Sequence, residues 1–433
     1  MKAIDRNILR LAIPSIVQNV TVPLLGLVDI AIVGHIGDAT YIGAIAVGSM
    51  IFNVMYWLLG FLRMGTSGLT AQAVGRNDHR AIRAMLSNAL KWGLLCGLTI
   101  VIAQIPLRWL SIWLMGPSEE IATLVRTYFN ICIWGAPATL SLYALTGWFI
   151  GLQDTRTPMT VSILQNVVNI ACSLLFVYGL GMRIEGVALG TLVAQWSGLA
   201  LAVWAMARKL KKIPASPQAT TASSNESDGR GASLFRVNRD IFLRTVCLVA
   251  VNLFFTAAGA RQGDLILSVN TLLMTLFTLF SYVMDGFAFA GEALGGKLYG
   301  ARNWEGFHAL VRRLLLWGAF MVVLFTATYA LGGKPFLSLL TNHHEVIEAA
   351  TPYLPWALLI PLAGVAAFIY DGLFIGITAT RGMLLSSAIA TAVFFLLHFM
   401  LSPYLHNHAL WLALIVYLLL RGIIQAVWLR RTL

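Results

Sequence analysis

Long apolar stretches alternate with short polar turns along the whole chain. About twelve of these stretches reach the roughly 20 residues that a helix needs to cross a bilayer core of about 30 Å. They lack the period-2 alternation of membrane β-strands, and lipid offers no partner to a free backbone, so each is predicted to be an α-helix. The predicted helices lie near residues 8–33, 41–63, 85–108, 121–151, 159–181, 185–207, 241–262, 265–290, 310–331, 349–377, 383–405 and 409–430.

Composition identifies the solvent of these helices. Of the 433 residues, 58% are hydrophobic and only 11% are charged, which is far more apolar than a water-soluble core of this length needs. The fold class is therefore predicted to be an all-α integral membrane protein that crosses the membrane many times.

The net charge of +12 would also suit a nucleic-acid-binding protein, but the positions of the basic residues argue against that function. They concentrate at both chain ends and in alternate turns, at 76–91, 208–212 and 302–313. This is the positive-inside bias of membrane proteins, which predicts that the N- and C-termini lie in the cytoplasm. The expected surroundings are membrane lipid, and no nucleic-acid partner is expected.

One break in composition divides the chain. From Lys209 to Arg239, Pro, Ser, Thr and Asn replace apolar residues, which is typical of a flexible cytoplasmic linker. The predicted domains are an N-terminal six-helix bundle over 1–207, a linker over 208–240 and a C-terminal six-helix bundle over 241–433.

The sequences on either side of this break repeat each other at one constant offset, the separation between Gly75 and Gly300. We call this separation the repeat offset. At the same offset, GWFIGLQDTR at 147–156 agrees with GLFIGITATR at 372–381 at six of ten positions. Copies with an even number of helices enter the membrane in the same orientation, so two pseudo-symmetric bundles related by an axis along the membrane normal are predicted. This symmetry favours a transporter over a receptor or a membrane enzyme.

Acidic residues inside apolar helices are the first candidates for chemistry, because a charge within a bilayer is costly. Asp29, Asp285 and Asp371 are such residues. Asp29 shares a helix face with Gln18, and Pro23 lets this helix bend just before the carboxyl group. A carboxyl group there can bind and release a proton, and the alternative is a carboxylate that is simply solvated near the mouth of a cavity.

The fifth predicted helix carries a polar stripe, which in a membrane must meet protein or water. Its members recur at helical spacing, and Asn169 is the expected hydrogen-bond partner of Asp29, since both helices belong to one half. The stripe could instead only hold helices together. It consists of Ser162, Asn166, Asn169 and Ser173.

Two further acidic residues lie in the second half. Asp371 follows three prolines in the tenth predicted helix and is expected to be a second titratable site. Asp285 is predicted at the same depth as Arg63 of the first half. A pair between them would be either a state-dependent latch or a plain structural ion pair.

Motifs of catalysis are missing from the sequence. There is no Walker motif, HExxH or GxSxG, and no soluble segment large enough to hydrolyse a nucleotide. The chain is therefore not expected to be an enzyme, no cofactor or metal is expected, and an ion gradient is the predicted energy source.

Several segments together resemble the multidrug and toxic compound extrusion (MATE) family, and more narrowly its DNA-damage-inducible DinF branch. The likeness runs over nearly the whole chain outside the linker. The segments are PSIVQNVTVPLLGLVDIAIVGHIG near the start, TAQAVGR after the second predicted helix, NRDIFLR before the seventh, MDGFAFAGEALGGKLYGAR after the eighth and YDGLFIG in the tenth.

This resemblance implies a V-shaped pair of six-helix bundles, twelve transmembrane helices in all, that exports amphipathic, often cationic compounds in exchange for H+ or Na+. Asp29 falls on the family's first-helix acidic residue, which takes the coupling proton in proton-driven members. Asn169 and Thr191 fall on the network around it, and Asp371 on the family's tenth-helix aspartate. The residues expected to bind substrate or complete the network are Gln18, Asn166, Ser173, Asp285 and Arg63.

The chain departs from the family pattern at two positions. Ser173 stands where many relatives carry Asp or Asn, and Thr256 stands where Na+-coupled members carry a glutamate. The loss of one of two acidic ligands argues against a cage of oxygen ligands for a hard cation. The resemblance therefore favours H+ over Na+ as the coupling ion.

The resulting hypothesis is a proton-coupled multidrug efflux antiporter, monomeric, in the bacterial cytoplasmic (inner) membrane. Its alternatives are a Na+-coupled exporter of the same family, a flippase for lipids or lipid-linked oligosaccharides, and a membrane sensor that transports nothing. A flippase would need a basic cavity for phosphates, whereas the acidic residues noted above dominate the predicted interior. A sensor would have no use for titratable groups in the middle of helices.

Overall fold

The computed structural model describes residues 2–34, 39–214, 225–340 and 344–432. Within these ranges the chain forms sixteen α-helices and no β-strand. The helices are α1 (Lys2–Gly34), α2 (Ala39–Leu58), α3 (Phe61–Gly75), α4 (His79–Ile102), α5 (Gln104–Met115), α6 (Glu119–Cys132), α7 (Ala136–Gly151), α8 (Arg156–Leu174), α9 (Ile184–Leu210), α10 (Asn225–Ala260), α11 (Asp264–Gly300), α12 (Trp304–Leu340), α13 (His344–Ala350), α14 (Leu354–Gly376), α15 (Thr380–Leu405) and α16 (Asn407–Thr432).

The sixteen helices cover the twelve predicted membrane segments, since several predicted segments are each divided into two helices. The segment 121–151 is divided into α6 and α7 by a 3-10 turn at Ile133–Gly135, and 349–377 is divided into α13 and α14 by another at Thr351–Tyr353. Ten helical stretches of the described chain are long and apolar enough to cross a membrane. The all-α membrane fold is confirmed.

Helices extend into the predicted linker from both sides. Helix α9 ends at Leu210, α10 begins at Asn225, and residues 215–224 lie outside the described part of the chain. Before the predicted boundary at 241, α10 already buries Val237, Asn238 and Asp240. Side chains three residues apart share one helix face, so a polar sequence continues the membrane helix here with one buried side.

The repeat is visible in the backbone of the turns. Asn77 and Arg302 both have φ of 54°, and Gln153 and Thr378 have φ of 61° and 56°. Each pair is separated by the repeat offset found in the sequence. Since residues with a Cβ atom rarely adopt positive φ, the two copies share an unusual turn geometry at matching positions.

Close helix packing repeats as well. A Cβ atom at Gly147 of α7 would collide with the backbone of Arg63 on α3, and one at Gly372 of α14 would collide with the backbone of Ala288 on α11. Both members of the second pair follow those of the first by the repeat offset. Small residues allow helix backbones to approach each other in membranes, and both halves place a glycine at the equivalent position for this close contact.

Two compact units divide the chain. One comprises Val17–Asn238, and the other comprises Arg239–Leu433 together with Ile16 and the residues before it. The start of α1 belongs to this second group, because the Trp317 indole donates a hydrogen bond to Asp5 at 3.2 Å and Arg313 lies 3.7 Å from the same carboxylate. The predicted domains group the start of α1 with the first half instead, and their boundaries stay predictions.

Candidate functional site

Asp29 lies on α1 inside the unit Val17–Asn238. Its neighbours Val28 and Ile30 pack against a hydrophobic cluster that includes Tyr128 and Cys132 of α6. Only 5% of Asp29 is exposed, and its Oδ1 atom has no hydrogen-bond partner in the described part of the chain. Its charge acts on Tyr128 and Cys132, which places these groups close to the carboxyl. The structure thus encloses Asp29 in protein, so a carboxylate solvated at a cavity mouth is not observed.

The predicted Asn169–Asp29 hydrogen bond is not formed. Asn169 is fully buried on α8 and donates from Nδ2 to Oγ1 of Thr191 on α9 at 3.0 Å. The contact from the stripe to α1 is made one turn earlier, where Asn166 donates to the backbone carbonyl of Thr21 at 3.1 Å. The side chain of Asn169 therefore points to α9 and not to Asp29, because Thr191 faces it across the contact between α8 and α9.

Close packing of α8 on α9 explains this arrangement. A Cβ atom at Gly190 of α9 would meet the backbone and hydroxyl of Ser173 on α8. Ser173 is fully buried, and its hydroxyl has no hydrogen-bond partner among the described residues. These contacts are those of a stripe that holds helices together, since Asn169 bonds to α9 and Asn166 bonds to α1. A functional role of the stripe stays a prediction.

The C-terminal half holds a buried ionic cluster around Asp371 of α14. The guanidinium groups of Arg244 on α10 and Arg421 on α16 both donate to its Oδ2 atom, Arg421 at 2.5 Å. Gln425, one turn after Arg421, donates to Oδ1 at 2.6 Å. Each of the four residues is at most 7% exposed. We call these residues the Asp371 cluster.

The charges of the Asp371 cluster do not cancel. Two guanidinium groups face one carboxylate, and the Nε atoms of Arg244 and Arg421 have no hydrogen-bond partner within the described ranges. Protonation of Asp371 would leave two buried positive charges without their counterion, which is costly. The cluster is built to keep this carboxylate charged.

Sequence reasoning missed three of these four residues. Arg244 ends the NRDIFLR segment, which runs into the seventh predicted helix, and Arg421 and Gln425 lie within the last predicted helix. A signal was present, because an arginine in the middle of a membrane helix is a functional or structural candidate by default.

The remaining predicted residues lie on three helices. Gln18 is half-buried on α1, Arg63 is half-buried on α3, where its charge acts on Tyr143 of α7, and Asp285 is half-buried on α11. The predicted Arg63–Asp285 pair would join residues of the two units and stays a prediction.

Thr256 of α10 is exposed, and its hydroxyl donates to the backbone carbonyl of Asn252 at 3.2 Å. Over the ranges that the structure describes, no group of three or more His, Cys, Asp or Glu side chains could hold a metal ion.

Comparison with known proteins agrees with this architecture. The MatE family model matches residues 14–175 and 241–425. The chain is 38% identical over 429 residues to DNA damage-inducible protein F of Escherichia coli (strain K12), covering 98% of this chain and 92% of that protein. It is also 24% identical over 358 residues to the probable multidrug resistance protein NorM of Thermotoga maritima, covering 80% and 74%.

Solved structures show the same fold. A crystal structure of MATE in the bent conformation superimposes with a TM-score of 0.88 at 20% identity, covering 99% of this chain and 95% of that one. An outward-facing multidrug resistance MATE family transporter of the MOP superfamily gives a TM-score of 0.87 at 19% identity, covering 99% and 96%.

Proposed function

Because the chain belongs to the MatE family of multidrug-type membrane transporters, we propose that it is an antiporter that exports amphipathic, cationic small molecules in exchange for protons. We place it in the bacterial cytoplasmic membrane, as a monomer with both termini in the cytoplasm. The resemblance to a relative named as a multidrug resistance protein supports the substrate class. The positive-inside bias supports the orientation.

The observation that carries the proposal is the contrast between two buried carboxyl groups. Asp29 is 5% exposed and has no ion pair in the described structure, whereas Asp371 is bound by two guanidinium groups. A proton that binds Asp29 changes the local charge without breaking an ion pair. A proton on Asp371 would break two, so the coupling proton is expected at Asp29.

The same contrast supports protons over sodium ions. A sodium site in the second half would need carboxylate oxygens that are free to bind a cation. Both oxygens of Asp371 already accept hydrogen bonds, and two of the three donors carry the positive charge that a sodium ion would otherwise supply. Thr256, at the position of the second acidic ligand, is neutral and exposed.

Coupling then follows from unequal affinity. In the deprotonated state, the negative charge on Asp29 attracts a cationic substrate, and in the protonated state that attraction is lost. A ligand shifts a conformational equilibrium only through its differential affinity for the states, and linkage makes proton binding and substrate binding weaken each other. The Asn166 contact to the backbone of α1 holds the helix segment before Asp29 against α8.

Flux in liposomes tests the proposal. The full chain in liposomes with an acidic lumen should accumulate a fluorescent organic cation, and a sodium gradient at equal pH should not drive it. Asp29→Asn should abolish the accumulation and its pH dependence. Asp264→Asn, at an exposed acidic residue in the first turn of α11, is the matched control and should transport normally. Unchanged, pH-dependent flux in Asp29→Asn would show that the coupling proton binds elsewhere.

A further inference from the structure

A cavity of about 480 Å³ opens between α12, α14 and α16, close to the C-terminal end of α16. Its polar lining consists of His308, Arg312, Tyr370 and Arg430, and the rest is aliphatic. This volume lies within the roughly 300–1,000 Å³ of ordinary ligand sites. We call this cavity the α12–α16 pocket.

The pocket is basic. No acidic side chain lines it in the described structure, and neither Arg312 nor Arg430 has a carboxylate partner among the described residues. Arg313, the next residue along α12, does have one, since it lies 3.7 Å from Asp5. The charge of Arg430 acts on Tyr370, so these two side chains lie close together. Two unpaired guanidinium groups and a phenol together suit a phosphate, for which arginine is the preferred side chain.

The position of the pocket selects the kind of phosphate. Arg312 lies near the start of the span Trp304–Gly333, and Arg430 lies at the end of the span Asn407–Arg431. Because both arginines line one pocket, these two span ends lie at the same membrane surface, where headgroups are found. From the pocket an apolar stripe continues along α12 towards the middle of the span, with Leu316 52% exposed and Phe320 54% exposed. A soluble phosphate compound would have no use for that stripe, whereas the acyl chains of a lipid would cover it.

We propose that the α12–α16 pocket binds an anionic glycerophospholipid. The phosphate lies between Arg312 and Arg430, and an acyl chain follows Leu316 and Phe320. Basic pockets between transmembrane helices on the positively charged side of membrane proteins bind such headgroups. The site would tie together the ends of three helices, two of which also supply the Asp371 cluster on neighbouring residues: Asp371 follows Tyr370, and Gln425 precedes the pocket residue Ala426.

Native mass spectrometry of the detergent-solubilised full chain tests the proposal. Phosphatidylglycerol and phosphatidylcholine with identical acyl chains are titrated separately, and the anionic lipid should bind more tightly. Arg312→Gln and Arg430→Gln should each weaken phosphatidylglycerol binding about fivefold, which corresponds to about 1 kcal/mol for each basic residue. The double variant should lose about twentyfold or more on the same scale.

Arg431→Gln is the matched control, because Arg431 is exposed next to Arg430 and lies outside the pocket. Its phosphatidylglycerol affinity should stay at the wild-type value. The proposal is overturned if the double variant binds phosphatidylglycerol as the wild type does, or if Arg431→Gln loses as much affinity. It is also overturned if inorganic phosphate displaces the lipid at equal concentration, since the occupant would then be a soluble phosphate. Should the double variant fail to fold, the two single variants decide the same question.

Discussion

The Asp371 cluster makes a strong prediction about stability. In Asp371→Asn, the side chain keeps its size but loses the charge that both Arg244 and Arg421 contact. The two arginines are 7% and 6% exposed, so water cannot replace the lost counterion. The substitution therefore leaves two buried positive charges facing a neutral amide.

The expected magnitude follows from the number of pairs broken. Removing one partner of a buried ion pair costs about 3–5 kcal/mol, and here one carboxylate serves two guanidinium groups, so the upper end of that range is expected. Adding Arg244→Gln to Asp371→Asn restores the wild-type net charge of the cluster. The double variant should therefore be more stable than the sum of the two single losses predicts, by about 1–3 kcal/mol.

Equilibrium unfolding in mixed micelles measures both quantities. Glu119→Gln is the matched control, because its side chain is 82% exposed and its partner Arg126 is 46% exposed. Such a surface pair contributes little, so this variant should unfold like the wild type. If Asp371→Asn is as stable as the wild type, or if the double variant loses the sum of the single losses, the cluster is not the coupled ionic unit described above.

Two further predictions concern packing and pH. Gly147→Ala should destabilise the protein by about 1–3 kcal/mol, since the new methyl group meets the backbone of Arg63. Gly26→Ala, which places its methyl group more than 4 Å from every neighbouring atom that the structure describes, should not destabilise it. Unfolding of both variants in micelles compares them. Burial raises the pKa of Asp154, but its bond to Lys209 and further hydrogen bonds outweigh burial and hold the pKa below its ordinary value. A group with a lowered pKa stabilises the fold above about pH 4, and this stabilisation is lost as the pH falls further. The melting temperature of the wild type should therefore fall as the pH is lowered below about 4. It should fall less in Asp154→Asn, which has no carboxyl group at this position to protonate.

The membrane helices were predictable from the sequence because lipid imposes their length and apolar character. The breaks within them were less visible, although a cause is present in the sequence. Pro137 follows the 3-10 turn at Ile133–Gly135, and Pro355 follows the one at Thr351–Tyr353. Proline is favoured in the first turn of a helix, where it marks a new start rather than a continuation.

The candidate site was predictable only in part, for a geometrical reason. Asp29 stood out as a carboxyl in an apolar helix, which a one-dimensional pattern reveals. The partners of Asp371 lie 127 and 50 residues away along the chain. Hydropathy and helical spacing describe one helix at a time, so they cannot show which faces of α10, α14 and α16 meet. For the same reason Asn169 and Thr191 could both be placed near Asp29, but the hydrogen bond between the two could not be predicted.

The repeat shows how one scaffold can carry two kinds of buried chemistry. At the repeat offset, Asp29 corresponds to Phe254, which packs against the rings of Phe395 and His398 at centroid distances of 4.9 and 5.0 Å. Asp371 corresponds to Thr146, a buried neutral residue. The turns and glycine contacts of the two halves were retained at matching positions, because backbone packing constrains them. Asp29 and Asp371 occupy different positions of the repeat, and of these two carboxyl groups only Asp371 is paired with arginine among the described residues. If the proposed proton coupling holds, the gradient acts on the half that carries Asp29, while the Asp371 cluster ties α10, α14 and α16 of the other half together.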